Sequence, residues 1–192
     1  IVLVSGARTA IGSFGGSLKD YKARELGAIA IKAAIERAGL TVNDIDEVVY
    51  GCVGQVAEDA FIARTAALGA GLPIESTALT VNRLCSSGLQ SIVTAAMELK
   101  DDFCDIAVAG GVESMSNLPH YLRRARQGYR MGHAGLEDGL TTILSDPLTR
   151  DHMGITAENV AERYGITREE QDVYAARSQQ KAEAAITAGL FK

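Results

Sequence analysis

Short apolar runs rich in valine and isoleucine alternate with longer stretches of helical periodicity through the first 115 residues, the pattern of an α/β layer architecture with parallel strands. Ile1-Val2-Leu3-Val4 is the predicted first strand. After a glycine-rich turn, Ile31, Ala34, Ile35 and Ala38 fall at i, i+3, i+4 and i+7, giving one apolar helix face that stops at Gly39. Glu47 to Gly51 follows as a second strand. Phe61 to Leu72 is alanine-rich and helical until Pro73, and Thr77 to Val81 alternates as a third strand. A helix from Ser87 to Lys100 leads to Ile106-Ala107-Val108-Ala109, a fourth strand ending in Gly110-Gly111.

The alternation stops beyond Glu113, and the charge balance shifts with it. Residues 1–115 carry 9 basic and 14 acidic side chains, whereas residues 116–192 carry 10 of each, so the expected division is 1–115 and 116–192. Residues 116–151 read as loops and two helices come after them. Thr167 with Glu170 makes a capping box for the second helix, and Gly189 is its terminator.

Composition narrows the function classes. The net charge of −5 argues against a dedicated nucleic-acid binder, which needs a basic surface. No apolar run approaches the ~20 residues of a membrane helix, and no basic stretch followed by a long apolar one marks a secretory signal. Three cysteines, Cys52, Cys85 and Cys104, fit neither a disulfide framework nor a zinc site, so the expectation is no metal and a reducing, cytoplasmic compartment. The glycines at 12, 15 and 16 do not form a dinucleotide fingerprint.

The segment richest in chemistry is Asn82-Arg83-Leu84-Cys85-Ser86-Ser87-Gly88-Leu89-Gln90, between a predicted strand and a predicted helix. A cysteine there sits at a helix start, where orphan amides and the helix dipole favour the thiolate, and the small residues after it let a carbonyl approach the backbone. Two readings compete on position alone: a nucleophile, or a buried cysteine packing as a small hydrophobe.

This segment resembles the nucleophile motif of the thiolase family. Arg8-Thr9-Ala10-Ile11-Gly12-Ser13-Phe14-Gly15-Gly16, Gly110-Gly111-Val112-Glu113-Ser114-Met115-Ser116 and His152-Met153-Gly154 with Thr156-Ala157-Glu158-Asn159-Val160-Ala161 are similar to other family segments, in order along the chain. The resemblance implies the N-terminal half of the fold, a mixed sheet of strand order 3-2-1-4 covered by helices. Part of an inserted helical loop domain follows, and the C-terminal half lies outside the sequence. It also implies an acetyl-CoA acetyltransferase or 3-ketoacyl-CoA thiolase that acylates Cys85, with acyl-CoA and CoA as substrates and no other cofactor. The resemblance further implies that the backbone amide of that cysteine serves as one oxyanion donor.

His152 and Met153 match family positions lining the acyl and pantetheine pocket, and Leu140 in Asp138-Gly139-Leu140-Thr141 resembles a pantetheine contact. The family also uses a His in a Gly-His-Pro segment, a second Cys in a glycine-rich loop and an Asn in an Asn-Glu-Ala-Phe segment. None has a counterpart here: no cysteine follows Cys104, and His120, His133 and His152 lie in other contexts. The fifth strand of this half is likewise expected beyond Lys192. Cys52 and Cys104 are expected in the core. Thr77 to Val81, an uncharged edge strand in the implied order, predicts a homodimer; the four arginines of residues 121–130 read as a solvated face, and the resemblance implies that this loop joins dimers. A ketoacyl synthase, which also places Cys-Ser-Ser between strand and helix, and a noncatalytic CoA-binding or scaffold subunit are the alternatives.

Overall fold

The computed structural model describes residues 1–190. Compact packing divides the chain into a unit from Ile1 to Ile143 and a second from Leu144 onward. The first is built on a parallel sheet of β1 (Glu47–Gly51), β2 (Thr77–Val81) and β3 (Ala107–Gly111). Their order is β2-β1-β3, with Val49 opposite both Leu79 and Ala109.

Strand alternation assigns the two faces of β1. Val48 and Tyr50 join Ile31 and Ile35 of α1 (Ala23–Arg37) and Ala63, Ala66 and Ala67 of α2 (Ile62–Gly69) in one core. Val49 and Gly51 face the other way, toward α3 (Ser87–Lys100), which packs on β1 and β3. Three layers result. Tyr50 fixes how closely α1 approaches, since its ring lies between Gly27 and Gly110, where a methyl carbon would stand 3.1 Å and 2.6 Å from ring atoms. The phenol, pushed up to about 12 by burial, stays neutral and donates to the Gly27 carbonyl at 3.4 Å.

The α/β architecture and three strands match the sequence pattern, whereas the fourth expectation, a strand at Ile1–Val4 in the order 3-2-1-4, is corrected. The strand over 47–51 pairs directly with the one over 107–111, so nothing stands between them. Ile1–Val4 has no strand partner among the described residues and is 70–84% exposed. A strand exists only where a neighbour takes its amide and carbonyl groups. A β-favourable run predicts a candidate strand but not its neighbour. These residues instead border a groove of about 1040 Å³ between α1, α3 and the outer side of β3. All three strands are parallel, so this sheet is not mixed among the described residues.

Compact packing separates the units after Ile143, later than the change of pattern at 115/116. Side-chain bonds explain the shift: Ser116 Oγ accepts from the Gly15 amide at 3.0 Å, and the Asn117 amide group donates to the Lys19 and Tyr21 carbonyls at 2.9 Å each. A short antiparallel pair, β4 (His120–Tyr121) and β5 (Glu137–Asp138), then runs into α4 (Gly139–Ile143).

The second unit carries α5 (Met153–Tyr164) and α6 (Arg168–Thr187). Thr167 and Glu170 form the expected capping box, with reciprocal bonds of 3.2 Å and 2.8 Å. Gly189, at φ +64°, closes α6. Among the described residues no helix is long and apolar enough to cross a membrane.

Candidate active site

Cys85 lies on the five-residue connection between the end of β2 and the start of α3, two residues before the first helical position. Its thiol is free and exposed, unlike those of Cys52 and Cys104, which are buried as expected. The connection turns sharply at Leu84, a non-glycine residue at φ +49°. That left-handed conformation costs about 1–3 kcal/mol and persists only where surrounding bonds over-determine it.

Those bonds come from Ser87 and Asn82. The Ser87 hydroxyl accepts from the Arg83 amide at 2.8 Å and donates to the Leu84 carbonyl at 2.6 Å, so one buried side chain brackets the turn. Asn82 Oδ1 accepts the Leu84 amide at 3.0 Å. The Ser86 and Ser87 amides donate back to the carbonyls of Arg83 and Leu84 at 3.2 Å and 2.9 Å. The Arg83 guanidinium donates to the Gln90 side-chain carbonyl, joining the turn to the first turn of α3.

Glycines hold this platform against the sheet. A methyl carbon at Gly51 would meet the Ser87 carbonyl carbon at 2.5 Å and the Gly88 nitrogen at 2.8 Å, and one at Gly111 would meet the Gly51 oxygen at 3.0 Å. The helix start therefore rests directly on the strand backbones. The exposed cysteine thus stands two residues before the helix N-terminus, the end at which orphan amides and the helix dipole favour negative charge.

Beside the turn, the Glu113 carboxylate accepts from the Val53 and Gly54 amides at 3.0 Å and 2.8 Å, with the Cys52 thiol donating at 3.6 Å. Burial, then the Glu113 charge and hydrogen bond, push the Cys52 thiol up to about 12. Burial and the raised pKa both disfavour the thiolate there. Burial, with Glu98 and Glu47 next, also raises the Cys104 thiol.

The other candidates are placed as follows. Leu140 is half-buried in α4, in the same unit as Cys85, and its amide donates to Asp138 Oδ1 at 2.8 Å. That bond, the largest of several, holds the Asp138 carboxyl below its usual range. His152 and Met153 belong to the second unit and are exposed. His152 is the N-cap of α5: its Nδ1 accepts the Gly154 amide at 3.2 Å, which leaves Nε2 as the outward atom. Met153 begins the helix, its amide donating to the Leu144 carbonyl at 2.9 Å. The sequence motifs contain Glu113 and Asn82 without a task for either and give Ser87 only the part of a small residue beside the cysteine; an acid two residues past a Gly-Gly strand end is the available signal. Among the described residues no group of three or more His, Cys, Asp or Glu is placed to hold a metal ion.

The family model described as "Thiolase, N-terminal domain" matches residues 1–192. A β-ketothiolase of Cupriavidus necator is 51% identical over 193 residues, covering 100% of this chain and 49% of the relative. An acetyl-CoA acetyltransferase of the same organism is 50% identical over 192 residues, with 100% and 49% covered. The crystal structure of the Bacillus anthracis acetyl-CoA acetyltransferase superposes with a TM-score of 0.92 at 43% identity, over 98% of this chain and 48% of that one. The chain thus spans about half the length of the curated relatives it matches. With a family match over its whole length and a cysteine presented at a helix start by a strained, bracketed turn, the chain belongs to the thiolase family.

Proposed function

We propose that this chain carries the nucleophile of an acyl-CoA C-acyltransferase, an acetyl-CoA acetyltransferase or 3-ketoacyl-CoA thiolase, with Cys85 as the residue acylated. The observation that carries this is the contrast among three thiols: one exposed at the start of α3, two buried. The Cys85 thiolate adds to the thioester carbonyl, the tetrahedral oxyanion collapses, and the CoA thiolate leaves, giving an S-acyl enzyme. In synthesis a second acetyl-CoA loses an α-proton, its carbanion attacks the acyl carbon, and the Cys85 thiolate departs. Thiolysis is the reverse. Thiol exchange between thioesters is nearly isoenergetic, so a cysteine suits both directions.

The CoA thioester is the substrate and no further cofactor is called for. His152, Met153 and Leu140 are proposed to contact the acyl and pantetheine parts, His152 through its outward Nε2. The His and second Cys that the family resemblance implies for proton transfer have no counterpart among these 192 residues. General acid/base groups are worth ~10²–10⁴ each, so these residues expressed alone are expected to show no turnover.

The edge strand β2 supports an isologous homodimer. Thr77 donates to the Asp46 carbonyl at 2.8 Å and the Val81 carbonyl accepts from Cys52 at 3.2 Å, so alternation turns the peptide groups of Ala78 and Thr80 outward. No charge or proline blunts that edge. The arginine loop of residues 121–130 is proposed to join dimers into a dimer of dimers. The composition supports a cytoplasmic location without nucleic-acid or membrane partners.

The test is to incubate the full-length protein with labelled acetyl-CoA, quench in acid and map the label. Label on Cys85, lost in Cys85→Ala, is expected; label chiefly on Cys52 or Cys104, or a fully active Cys85→Ala enzyme, would refute the assignment.

A further inference from the structure

Each strand of the sheet ends at the platform that carries Cys85, and one carboxylate joins those ends. Glu113 stands two residues beyond β3, where the Val112 amide, donating to the Gly51 carbonyl at 3.0 Å, continues the ladder to β1. Its two oxygens accept consecutive amides from the segment after β1, Val53 at 3.0 Å and Gly54 at 2.8 Å. An anion accepting two amides makes charge-assisted bonds, about twice as strong as neutral ones. Gly54 permits the approach, because a methyl carbon there would lie 2.9 Å from Glu113 Oε1 and 2.5 Å from Leu118.

The connection continues to β2. The Val53 carbonyl, on the residue whose amide Glu113 holds, accepts from Asn82 Nδ2 at 3.5 Å. Asn82 is the first residue past β2, and its Oδ1 accepts the amide of Leu84 at 3.0 Å. Leu84 is the left-handed residue immediately before the nucleophile. The relay therefore runs from Glu113 through Val53 and Asn82 to the one backbone position whose conformation aims Cys85.

We propose that Glu113 is a positioning residue for Cys85, fixing the nucleophile turn through the Val53–Gly54 amides and Asn82; this rests on the reading of Cys85 as the acylated residue. Glu113 does not act on the reacting sulfur. Its oxygens are occupied by backbone amides, and the thiol it touches is Cys52. Asn82 is the second member of the device: one side-chain atom holds the strained residue and the other reaches the segment that Glu113 holds.

The experiment is a double-mutant cycle in the full-length protein, read as the rate of Cys85 acylation by labelled acetyl-CoA in rapid quench, with the half-saturating concentration determined for each variant. Glu113→Gln turns an amide nitrogen toward one of the two N–H groups, and Asn82→Ala removes the link to Leu84. Displacement of the attacking atom by about 1 Å costs ~10²-fold, so each single variant is expected to lower the saturating acylation rate ~10- to 100-fold, with half-saturation changed less than twofold. If both act through one turn, the double variant is no slower than the slower single. Saturating rates within twofold of wild type, or multiplicative losses in the double variant, would overturn the relay. Should Glu113→Gln not fold, Asn82→Asp decides: it keeps the acceptor for Leu84 and loses the donor to Val53, and an undiminished rate refutes the proposal. A wild-type protein labelled elsewhere than Cys85 sinks the catalytic reading, whereas label on Cys85 with undiminished variants sinks only the relay.

Discussion

Gly51→Ala tests whether the Cys85 platform depends on direct contact between helix and sheet. The new methyl carbon would stand 2.5 Å from the Ser87 carbonyl carbon, 2.6 Å from its oxygen and 2.8 Å from the Gly88 nitrogen. All three are backbone atoms, so no side chain can swing aside. Ordinary contact begins at 3.4 Å, so the start of α3 must retreat by about 0.9 Å, the difference from 2.5 Å. Gly51 is central and pairs with both Val81 and Gly111, so the strand cannot yield instead. Overpacking of this kind costs about 1–3 kcal/mol. Because Cys85 precedes the displaced helix by two residues, acylation is expected to fall by ~10²-fold as well. Gly88→Ala is the matched control for stability: a methyl carbon there meets nothing within 4 Å, and alanine in a helix is favoured over glycine by roughly 1 kcal/mol. Thermal melting of the full-length protein should show Gly51→Ala less stable and Gly88→Ala unchanged or more stable. Gly51→Ala melting and acylating like wild type would refute the contact argument.

Three further outcomes are expected. Glu98 Oε2 and Glu47 Oε1 are buried without hydrogen-bond partners among the described residues, and burial followed by the Glu47 charge raises the Glu98 carboxyl. A raised carboxyl favours the protonated form in the folded state, so its penalty on stability grows as pH rises above the ordinary value of about 4.3 and is absent below it. Glu98→Gln should therefore stabilise at neutral pH, with the gain vanishing in acid; no gain in urea unfolding at pH 7 would count against it. His152→Asn keeps an oxygen acceptor for the Gly154 amide while removing the outward Nε2, whereas His152→Ala removes both. Only the alanine variant should lose the ~0.5–2 kcal/mol of a helix cap, and both should weaken acyl-CoA binding; equal melting of the two variants contradicts the cap. Ala78→Pro deletes an outward amide of β2 and should lower the mass seen by light scattering, and an intact dimer with unchanged turnover removes the edge-strand proposal.

Local pattern carried the fold where each element answers to its own residues. The strands over 47–51 and 77–81 and the helix over 87–100 stand where alternation, Pro73 and the small residues after Cys85 placed them. Ile1–Val4 failed because pairing is a property of two segments, and a one-dimensional pattern names only one. Compact packing separates units later than the change of pattern near 115, for a related reason. Charge and periodicity do change there, but the Ser116 and Asn117 bonds to residues 15–21 span about a hundred positions and leave no periodic trace.

The site divides along the same line. Three cysteines of identical chemistry stand beside strands, and their difference lies in what surrounds them. Cys52 follows β1 inside the core, next to the Glu113 carboxylate, so burial and a negative neighbour both hold its proton. Cys104 is buried near Glu98, Glu47 and Asp46, under the same two effects. Cys85 alone is pushed out to solvent, and it is pushed out by a turn that costs free energy at Leu84. A motif read as letters locates the exposed cysteine because the small residues and the helix start are local. It is silent on Glu113 and Asn82, since their task is to join three strand ends that meet only in the folded chain. The free energy stored at Leu84 is what those bonds hold in place, and through it the sheet determines where the sulfur stands.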